Sequence, residues 1–351
     1  MGKAGFMSDM LLRELSNADI DWMVTTGTRQ QLTNEAVLIR PEQSLEAMYL
    51  LLEGTLAVKL PSQADKPTNA KNTVATMSRG ELLGESWLFN TRPVVQVVAA
   101  PEATVLSVSK SQLEAKLSSD VEFAAHFYRA LALIMSERIR RIFEHPERVR
   151  YGAQQTVKEA VFVFSELHDS DIDWMVRRGT VEKVSAGQIL LHAGRPVDAL
   201  YTVVDGQFEI ALSDQPCDPL SLCSQGLSEQ AAKQSFKTAT YISRGGLPGI
   251  IAFLDFRPLP VTIRATESAR VLAIPRQQVA IKLQEDLGFA SRFYRVIATQ
   301  MANLLGAVTL LRGDTGAASD QEELNLDELQ QVCHGGTKFD WMLKQLGVSA
   351  S

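Results

Sequence analysis

The fold is built around a ten-residue stretch, Gly84-Glu85-Ser86-Trp87-Leu88-Phe89-Asn90-Thr91-Arg92-Pro93. A weaker copy follows at Gly249-Ile250-Ile251-Ala252-Phe253-Leu254-Asp255-Phe256-Arg257-Pro258. We call them the first and second cradle. In each, a glycine opens an apolar half-turn, an Arg-Pro pair closes it, and a run of β-forming residues follows. Glycine lets the backbone approach a ligand closely, and a helical turn directs free N–H groups toward it. The pattern is typical of a strand–helical turn–strand site for an anion, or alternatively of a tight turn that closes the end of a β-roll.

The duplication extends through nearly the whole chain. The segment from Leu15 to Thr28, with Asp-Ile-Asp-Trp-Met at its centre, returns from Leu167 to Thr180, at an offset of 152 residues. The second copy has gained about thirteen residues, which fall around 215–238. Polar insertions of this kind belong in surface loops. The sequence therefore predicts two tandem domains of one fold.

Each copy predicts the same element order: a short capped helix, several strands, the cradle, further strands, a short helix and a long helix. Glu53-Gly54 and Asp205-Gly206 mark the same hairpin turn, since glycine accepts positive φ, and Gly27 is expected in the C′ position after the first helix. The long helices are expected at 120–143 and 286–311, where apolar residues recur at helical spacing. The predicted fold is α+β, with two antiparallel β-rolls of the jelly-roll type, each with flanking helices and a long C-terminal helix.

Length and composition are those of an ordinary globular protein. A chain of 351 residues suggests about two domains, and a net charge of -6 argues against wholesale nucleic-acid binding. There is no apolar run of about 18 residues and no secretory signal, so neither a membrane span nor export is expected. The three cysteines lack the spacing of a metal site, which indicates reduced thiols and a cytoplasmic location.

On these residues the chain resembles the cyclic-nucleotide-binding domain of bacterial catabolite activators and of the regulatory subunits of cAMP-dependent kinase. The resemblance rests on the helices on both sides and on Gly54, Gly80, Leu83-Gly84-Glu85, Leu88-Phe89 and Pro93. The repeated Asp-Ile-Asp-Trp-Met is also similar to tandem proteins of cyanobacteria that are encoded near peptide-export genes. The resemblance implies cAMP or cGMP as a possible ligand and no other cofactor.

The resemblance also implies which residues would hold such a ligand. The family's glutamate, which bonds the ribose 2′-hydroxyl, matches Glu85, but Val94 stands where the family has the arginine that pairs with the cyclic phosphate. The second copy has Ile250 and Leu259 at these two places. A phosphate buried without a cation costs several kcal/mol, so tight cAMP binding is not expected at the second site. The candidate ligand-binding residues are Gly84, Glu85, Ser86, Arg92, Val94, Val95, Gly249 and Arg257.

Arg92 and Arg257 allow two interpretations. Each lies two positions before the place of the family's arginine, in the same Arg-Pro setting. Either they reach a phosphate from the other lip of the cradle, or they form a salt bridge to the domain's own helix.

Three further groups have structural interpretations. Trp22, Trp174 and Trp341 share the Asp-Trp-Met motif, which predicts amphipathic helices that seal a core, or a helix that docks on a groove in the case of the tail copy. The histidines show no ligand spacing. The basic patch is interpreted as a solvated face, with DNA or acidic-lipid contact as the alternative; it consists of Arg138, Arg140, Arg141, Arg148 and Arg150.

No catalytic or metal signature appears, so the chain is predicted not to be an enzyme. The expected domains are 1–145, a linker helix 146–165, a degenerate second domain 166–311 and an acidic tail 312–351 with a short C-terminal helix, which is too short and too acidic for a helix-turn-helix DNA reader. We expect the long helices to pair within the chain as a pseudo-dimer and leave homo-oligomerisation open. Two functions remain: a sensor that binds a small anionic ligand in the first roll and signals to a protein partner, or a ligand-free adaptor.

Overall fold

The computed structural model describes residues 11, 13–33, 35–59, 73–89, 93, 95–152, 164–213, 236–309 and 326–348. The chain divides into two compact units, one containing residues up to Ile134 and the other beginning at Met135. The division falls inside a long helix, Val121–Phe143. The C-terminal half of this helix therefore belongs to the second unit.

The first unit is an antiparallel β-roll with helices before and after it. Two four-stranded sheets, ordered β1-β8-β3-β6 and β2-β7-β4-β5, form the roll. In chain order the elements are α1 (Asn17–Thr26), β1 (Thr28–Gln31), β2 (Val37–Ile39), β3 (Ala47–Glu53), β4 (Leu56–Lys59), β5 (Thr73–Met77), β6 (Leu82–Leu83), a 3-10 helix (Glu85–Phe89), β7 (Gln96–Ala99), β8 (Thr104–Ser109), α2 (Lys110–Ser119) and α3 (Val121–Phe143).

Two glycines of the first unit show how local sequence sets the chain path. Gly54 lies between β3 and β4 with φ 79°, as the hairpin prediction requires. Gly27, expected in a left-handed C′ position, is instead extended with φ -74°. A Cβ at Gly27 would lie 2.7 Å from the Met23 carbonyl oxygen and 2.8 Å from Leu106 Cδ1. Glycine is needed there because the helix end packs closely on β8, so the C′ prediction was wrong.

The second unit repeats the order. Its sheets are β11-β15-β9 and β10-β14-β12-β13. The elements are α4 (Asp169–Arg178), β9 (Thr180–Val184), β10 (Ile189–Leu191), β11 (Ala199–Asp205), β12 (Phe208–Ser213), β13 (Phe236–Ile242), α5 (Ile250–Asp255), β14 (Thr262–Ala265), β15 (Ala269–Pro275), α6 (Arg276–Glu285), α7 (Leu287–Val308) and α8 (Leu326–Gln345). The insertion predicted around 215–238 lies between β12 and β13, mostly outside the described residues.

The α+β class with two antiparallel rolls is confirmed. In both copies a helical segment and then a strand follow the cradle glycine, as predicted. The tail helix differs from expectation, because α8 has 20 residues and is not short. Of the proposed linker helix 146–165, the described residues form a 3-10 turn at Pro146–Arg148 and are helical at 164–165. Residues 149–152 are not helical, and 153–163 lie outside the described residues.

Candidate functional site

The first cradle begins at a glycine that no other residue replaces without strain. Gly84 follows β6, which pairs with β3 through Tyr49 and Leu50, and has φ 90°. A Cβ at this position would lie 2.8 Å from the Ala47 carbonyl oxygen. The chain therefore turns tightly against β3 and enters the 3-10 helix Glu85–Phe89 directly.

The side chains that follow divide between the roll interior and partial exposure. Glu85 and Ser86 are half-buried at the start of the 3-10 helix. Trp87 and Val95 pack against the apolar interior of the roll. The indole Nε1 of Trp87 is buried without a hydrogen-bond partner among the described residues, and the ammonium of Lys110 lies 5.4 Å from its ring centroid. Arg92 and Val94 lie outside the described residues.

The second cradle is filled with its own side chains. Gly249 is left-handed, with φ 76°, and a Cβ there would lie 2.4 Å from Leu191 Cδ1. All of α5 from Ile250 to Leu254 is buried. Ile250, at the position of the family's glutamate, is 5% exposed, and Leu259, at the position of its arginine, is 2% exposed. These two side chains offer no hydrogen-bonding group to a ligand.

Asp255, at the end of α5, is the centre of a buried ionic cluster that the sequence analysis did not single out. Its carboxylate, 3% exposed, accepts hydrogen bonds from Arg140 Nε at 2.6 Å and Nη2 at 2.8 Å, which is a bidentate pair. Ser136 Oγ donates to the same carboxylate at 2.9 Å. Arg140 and Ser136 lie on the C-terminal half of α3, which thereby holds the second cradle.

Arg257 also joins this cluster, through the Oδ2 atom of Asp255. Its guanidinium donates to Asp255 at 3.0 Å and to Glu137 of α3 at 2.7 Å. Arg140 also donates to the carbonyl oxygens of Pro258 at 2.8 Å and Arg257 at 3.3 Å. Of the two interpretations of Arg257, the structure places this side chain in salt bridges to acidic residues of its own unit.

The electrostatics favour the charged state of this cluster. Burial by itself raises the pKa of the Asp255 carboxyl, but the hydrogen bonds and charge of Arg140, with the Arg257 N–H and Ser136, bring that pKa below its usual value. Arg140 was assigned to a solvated basic face, and that interpretation was wrong for this residue, since its side chain is 10% exposed. The signal available in the sequence for Asp255 was an acidic residue directly before an aromatic one, Phe256. No pattern in the neighbouring residues indicates that its partner lies on α3.

Both cradles are joined to the short helix after the roll by a cation on an aromatic ring. Arg276, the first residue of α6, lies 5.0 Å from the ring centroid of Phe253 and 4.4 Å from that of Phe256. Lys110, the first residue of α2, lies over Trp87 in the same way. Such contacts contribute roughly 0.5–2 kcal/mol, so each cradle is packed against the helix that follows its roll.

The Asp-Trp-Met helices seal the cores as predicted. Trp22 contacts Phe123 edge to face with ring centroids 5.0 Å apart, and Trp174 lies 5.5 Å from Phe289. The tail helix α8 packs on α4, with Phe339, Met342 and Leu343 buried. Phe339 contacts Phe164, and Lys338 Nζ donates to main-chain oxygens just before α4. The tail motif therefore docks on the second unit through Phe339 and Met342, while Trp341 is half-buried.

Residues 29–120 and 181–286 match the family model of the cyclic nucleotide-binding domain. These two segments cover more than half of the chain, which therefore belongs to the cyclic nucleotide-binding domain family. Each segment spans the described roll and one cradle.

Several solved structures are similar to the chain at low identity. The regulatory domain of Toxoplasma gondii PKA with cAMP is 14% identical, with a TM-score of 0.29 over 81% of this chain and 90% of that one. The regulatory subunit of a cAMP-independent protein kinase A from Trypanosoma brucei is 12% identical, with a TM-score of 0.28 over 82% and 95%. The Thermus thermophilus catabolite activator protein is 16% identical, with a TM-score of 0.33 over 50% and 75%. A comparison with curated protein sequences gave no match.

In the part of the chain that the structure describes, none of the helices has the length and apolar character needed to cross a membrane. Nor do three or more histidine, cysteine, aspartate or glutamate side chains of these residues come together as a metal site.

Proposed function

We propose that this protein is a non-enzymatic regulator whose first roll binds a cyclic nucleotide, cAMP or cGMP, or another small anionic ligand, and passes the signal to a protein partner in the cytoplasm. The difference between the two cradles carries the proposal. The first keeps the Gly84-Glu85 pair, with a half-buried carboxylate at the start of a helical turn. The second replaces that carboxylate with the buried side chain of Ile250.

The chemistry of the first cradle suits a sugar phosphate. A carboxylate accepts hydrogen bonds from ribose hydroxyls, and the N-terminal end of a helical turn such as Glu85–Phe89 suits an anion. Arg92 supplies the phosphate cation in this proposal, because Val94 has none to offer. The family membership supports a cyclic nucleotide over other anions.

The second roll takes a structural role in the proposal. Its cradle is held from α3 by Arg140, and this contact fixes α5 without a ligand. Since α3 begins directly after α2, and Lys110 of α2 contacts Trp87 of the first cradle, movement in the first cradle would reach Arg140 through this cation–π contact and then along α2 and α3. The pseudo-dimer of long helices belongs to this proposal as the means of relay.

The test is calorimetric titration of the full chain with cAMP, cGMP and cyclic dinucleotides, repeated on Glu85→Gln and on the matched variant Ile250→Ala. A hydrogen bond to a charged group contributes about 1.5–3 kcal/mol, so Glu85→Gln is expected to weaken binding roughly tenfold to a hundredfold. Ile250→Ala should leave affinity unchanged. Equal weakening by both variants would place the ligand elsewhere, and absence of binding to every nucleotide would reject the cyclic-nucleotide version.

The second candidate function is a ligand-free adaptor. It is favoured by the locked second cradle and by the tail helix α8, which already uses a repeat motif for docking. The adaptor predicts that none of these nucleotides raises the unfolding temperature of the chain. The narrower resemblance to cyanobacterial proteins encoded near peptide-export genes is kept within this proposal as context and assigns no partner.

A further inference from the structure

The two units use different chemistry for the same ion pair between their first helix and their long helix. In the second unit Arg292 of α7 donates from Nε at 2.7 Å and from Nη2 at 2.9 Å to Asp171 of α4. In the first unit the matching residues are His126 of α3 and Asp19 of α1, with Nδ1 and Oδ2 2.8 Å apart. Guanidinium keeps its charge at all physiological pH values, whereas imidazole loses its charge between about pH 5 and 8.

We propose that the docking of α1 on α3 in the first unit is pH-sensitive, because a histidine there replaces the permanent cation of the second unit. This inference concerns proton binding and is independent of the ligand proposed for the first cradle. It depends on the geometry of one helix pair and on the comparison between the two copies.

The contact is buried on the carboxylate side and open to protons on the imidazole side. The side chain of Asp19 is 7% exposed and that of His126 is 29% exposed. Asp19 lies in the first turn of α1, where Ser16 Oγ accepts from its main-chain N–H and its own carboxylate accepts from the Ser16 N–H at 2.8 Å. The aspartate is therefore fixed in place, and the imidazole is the more exposed partner of the pair.

Two ion pairs near this contact are matched between the two copies. On the segment before α1, Glu14 pairs with Arg129 at 3.0 Å, as Glu166 pairs with Arg295 at 2.8 Å. At the end of α2, Lys116 pairs with Asp120 at 2.7 Å, as Lys282 pairs with Asp286 at 2.7 Å. The remaining charged groups on α1, on the described segment before it and in the first two turns of α3 are Asp21, Arg13 and Glu122. Glu122 lies one turn before His126, where the second copy has Gly288.

The direction of the effect follows from the charges. Burial alone raises the pKa of the Asp19 carboxyl, but hydrogen bonds from Ser16 and His126 bring that pKa below its usual value, so Asp19 stays ionised at neutral pH. A protonated imidazole forms an ion pair with this carboxylate, whereas a neutral imidazole leaves a weaker hydrogen bond from an uncharged donor. Docking of α1 is therefore strongest in mild acid and weaker above neutrality.

The test is hydrogen exchange of the full chain by mass spectrometry from pH 5.5 to 8.0, with rates corrected for the intrinsic effect of pH. Peptides covering 17–26 report on α1. In the wild-type protein their protection should fall about fivefold across this range. His126→Arg, which copies the second unit, should hold the protection of the acid form throughout. His126→Asn, whose amide nitrogen replaces Nδ1 without a charge, should hold the lower protection throughout.

The second unit supplies the reciprocal variant. Arg292→His should introduce the same fall in peptides covering 169–178, measured against the wild-type protein because another histidine, His168, lies at the start of α4. Parallel profiles for the wild-type protein and His126→Arg, or a fall that persists in His126→Asn, would overturn the proposal. If His126→Arg does not fold, the comparison of His126→Asn with Arg292→His decides the outcome.

Discussion

Replacing Arg140 by methionine tests whether α3 holds the second cradle. The change removes both hydrogen bonds to the Asp255 carboxylate and those to the carbonyl oxygens of Pro258 and Arg257. The side chain of Asp255 is only 3% exposed in the wild-type structure. Removing one partner of a buried ion pair costs about 3–5 kcal/mol, because the other charge is left uncompensated.

The lower end of this range applies, since Arg257 and Ser136 still donate to Asp255. A loss of about 3 kcal/mol corresponds to a fall of about 6–12 °C in unfolding temperature, at roughly 2–4 °C per kcal/mol for a domain of 150–250 residues. Calorimetric melting of the full chain measures this fall in the transition of the second unit. Hydrogen exchange of peptides covering 249–258 should also rise, because this segment loses its tether to α3.

Arg141→Met is the matched control. Arg141 is the next residue on the same helix, is 36% exposed, and pairs with Glu137 at i, i+4 with 3.4 Å between Nε and Oε1. A pair of this kind contributes about 0.3–0.5 kcal/mol, so the transition should shift by no more than about 2 °C. The double variant Arg140→Met/Asp255→Leu should recover part of the lost stability, because it also removes the uncompensated charge. Equal shifts in the two single variants, or a double variant less stable than Arg140→Met, would show that Arg140 does not stabilise the second cradle by compensating the Asp255 charge.

Three other predictions concern single features of the two units. Gly84→Ala should destabilise the first unit by more than about 2 kcal/mol in urea unfolding, because both its φ and the Ala47 oxygen oppose a Cβ, whereas Gly187→Ala, with φ 78° but open space, should cost only about 1 kcal/mol; equal costs would contradict the close approach. Phe339→Ala should expose the tail helix to limited proteolysis without changing the melting of the first unit, since Phe339 is 3% exposed against Phe164, and unchanged cleavage would argue against docking. The stability contributed by Asp255 should be constant between about pH 5 and 8 and be lost as the pH falls through its folded pKa, which lies below the ordinary 3.8. The difference between the wild-type and Arg140→Met melting temperatures should therefore disappear in acid, and a difference that persists there would contradict the assigned charge state.

Much of the fold was predictable because its signals are local. The repeat of Asp-Ile-Asp-Trp-Met, the turn glycines and the apolar spacing of the long helices fixed the element order in both copies. The short strands Thr28–Gln31 and Leu82–Leu83 were missed, since too few residues carry an alternating pattern. Gly27 was predicted from its conformational freedom, but glycine is required there because a Cβ would collide with a side chain of β8. That side chain, Leu106, lies far along the chain and could not be foreseen from the local sequence.

The candidate site was predictable only in part. Residue types alone distinguished a cradle with Glu85 from one with Ile250, and burial of Ile250 and Leu259 agrees with that distinction. Whether Arg257 faces a ligand or an acidic side chain was left open by the sequence, because an arginine has the same reach toward either. In the structure, Arg257 forms a salt bridge with Glu137 of α3.

The repetition of one roll could be read from the sequence, because secondary structure follows from periodicity and turn chemistry within a few residues. Which charged side chains form pairs depends on the folded structure. Arg140 and Asp255 are 115 residues apart, and His126 and Asp19 are 107 apart. Such pairs depend on how the helices pack on the rolls. A charged residue has no sequence pattern that indicates its distant partner, so the partner is known only from the folded structure.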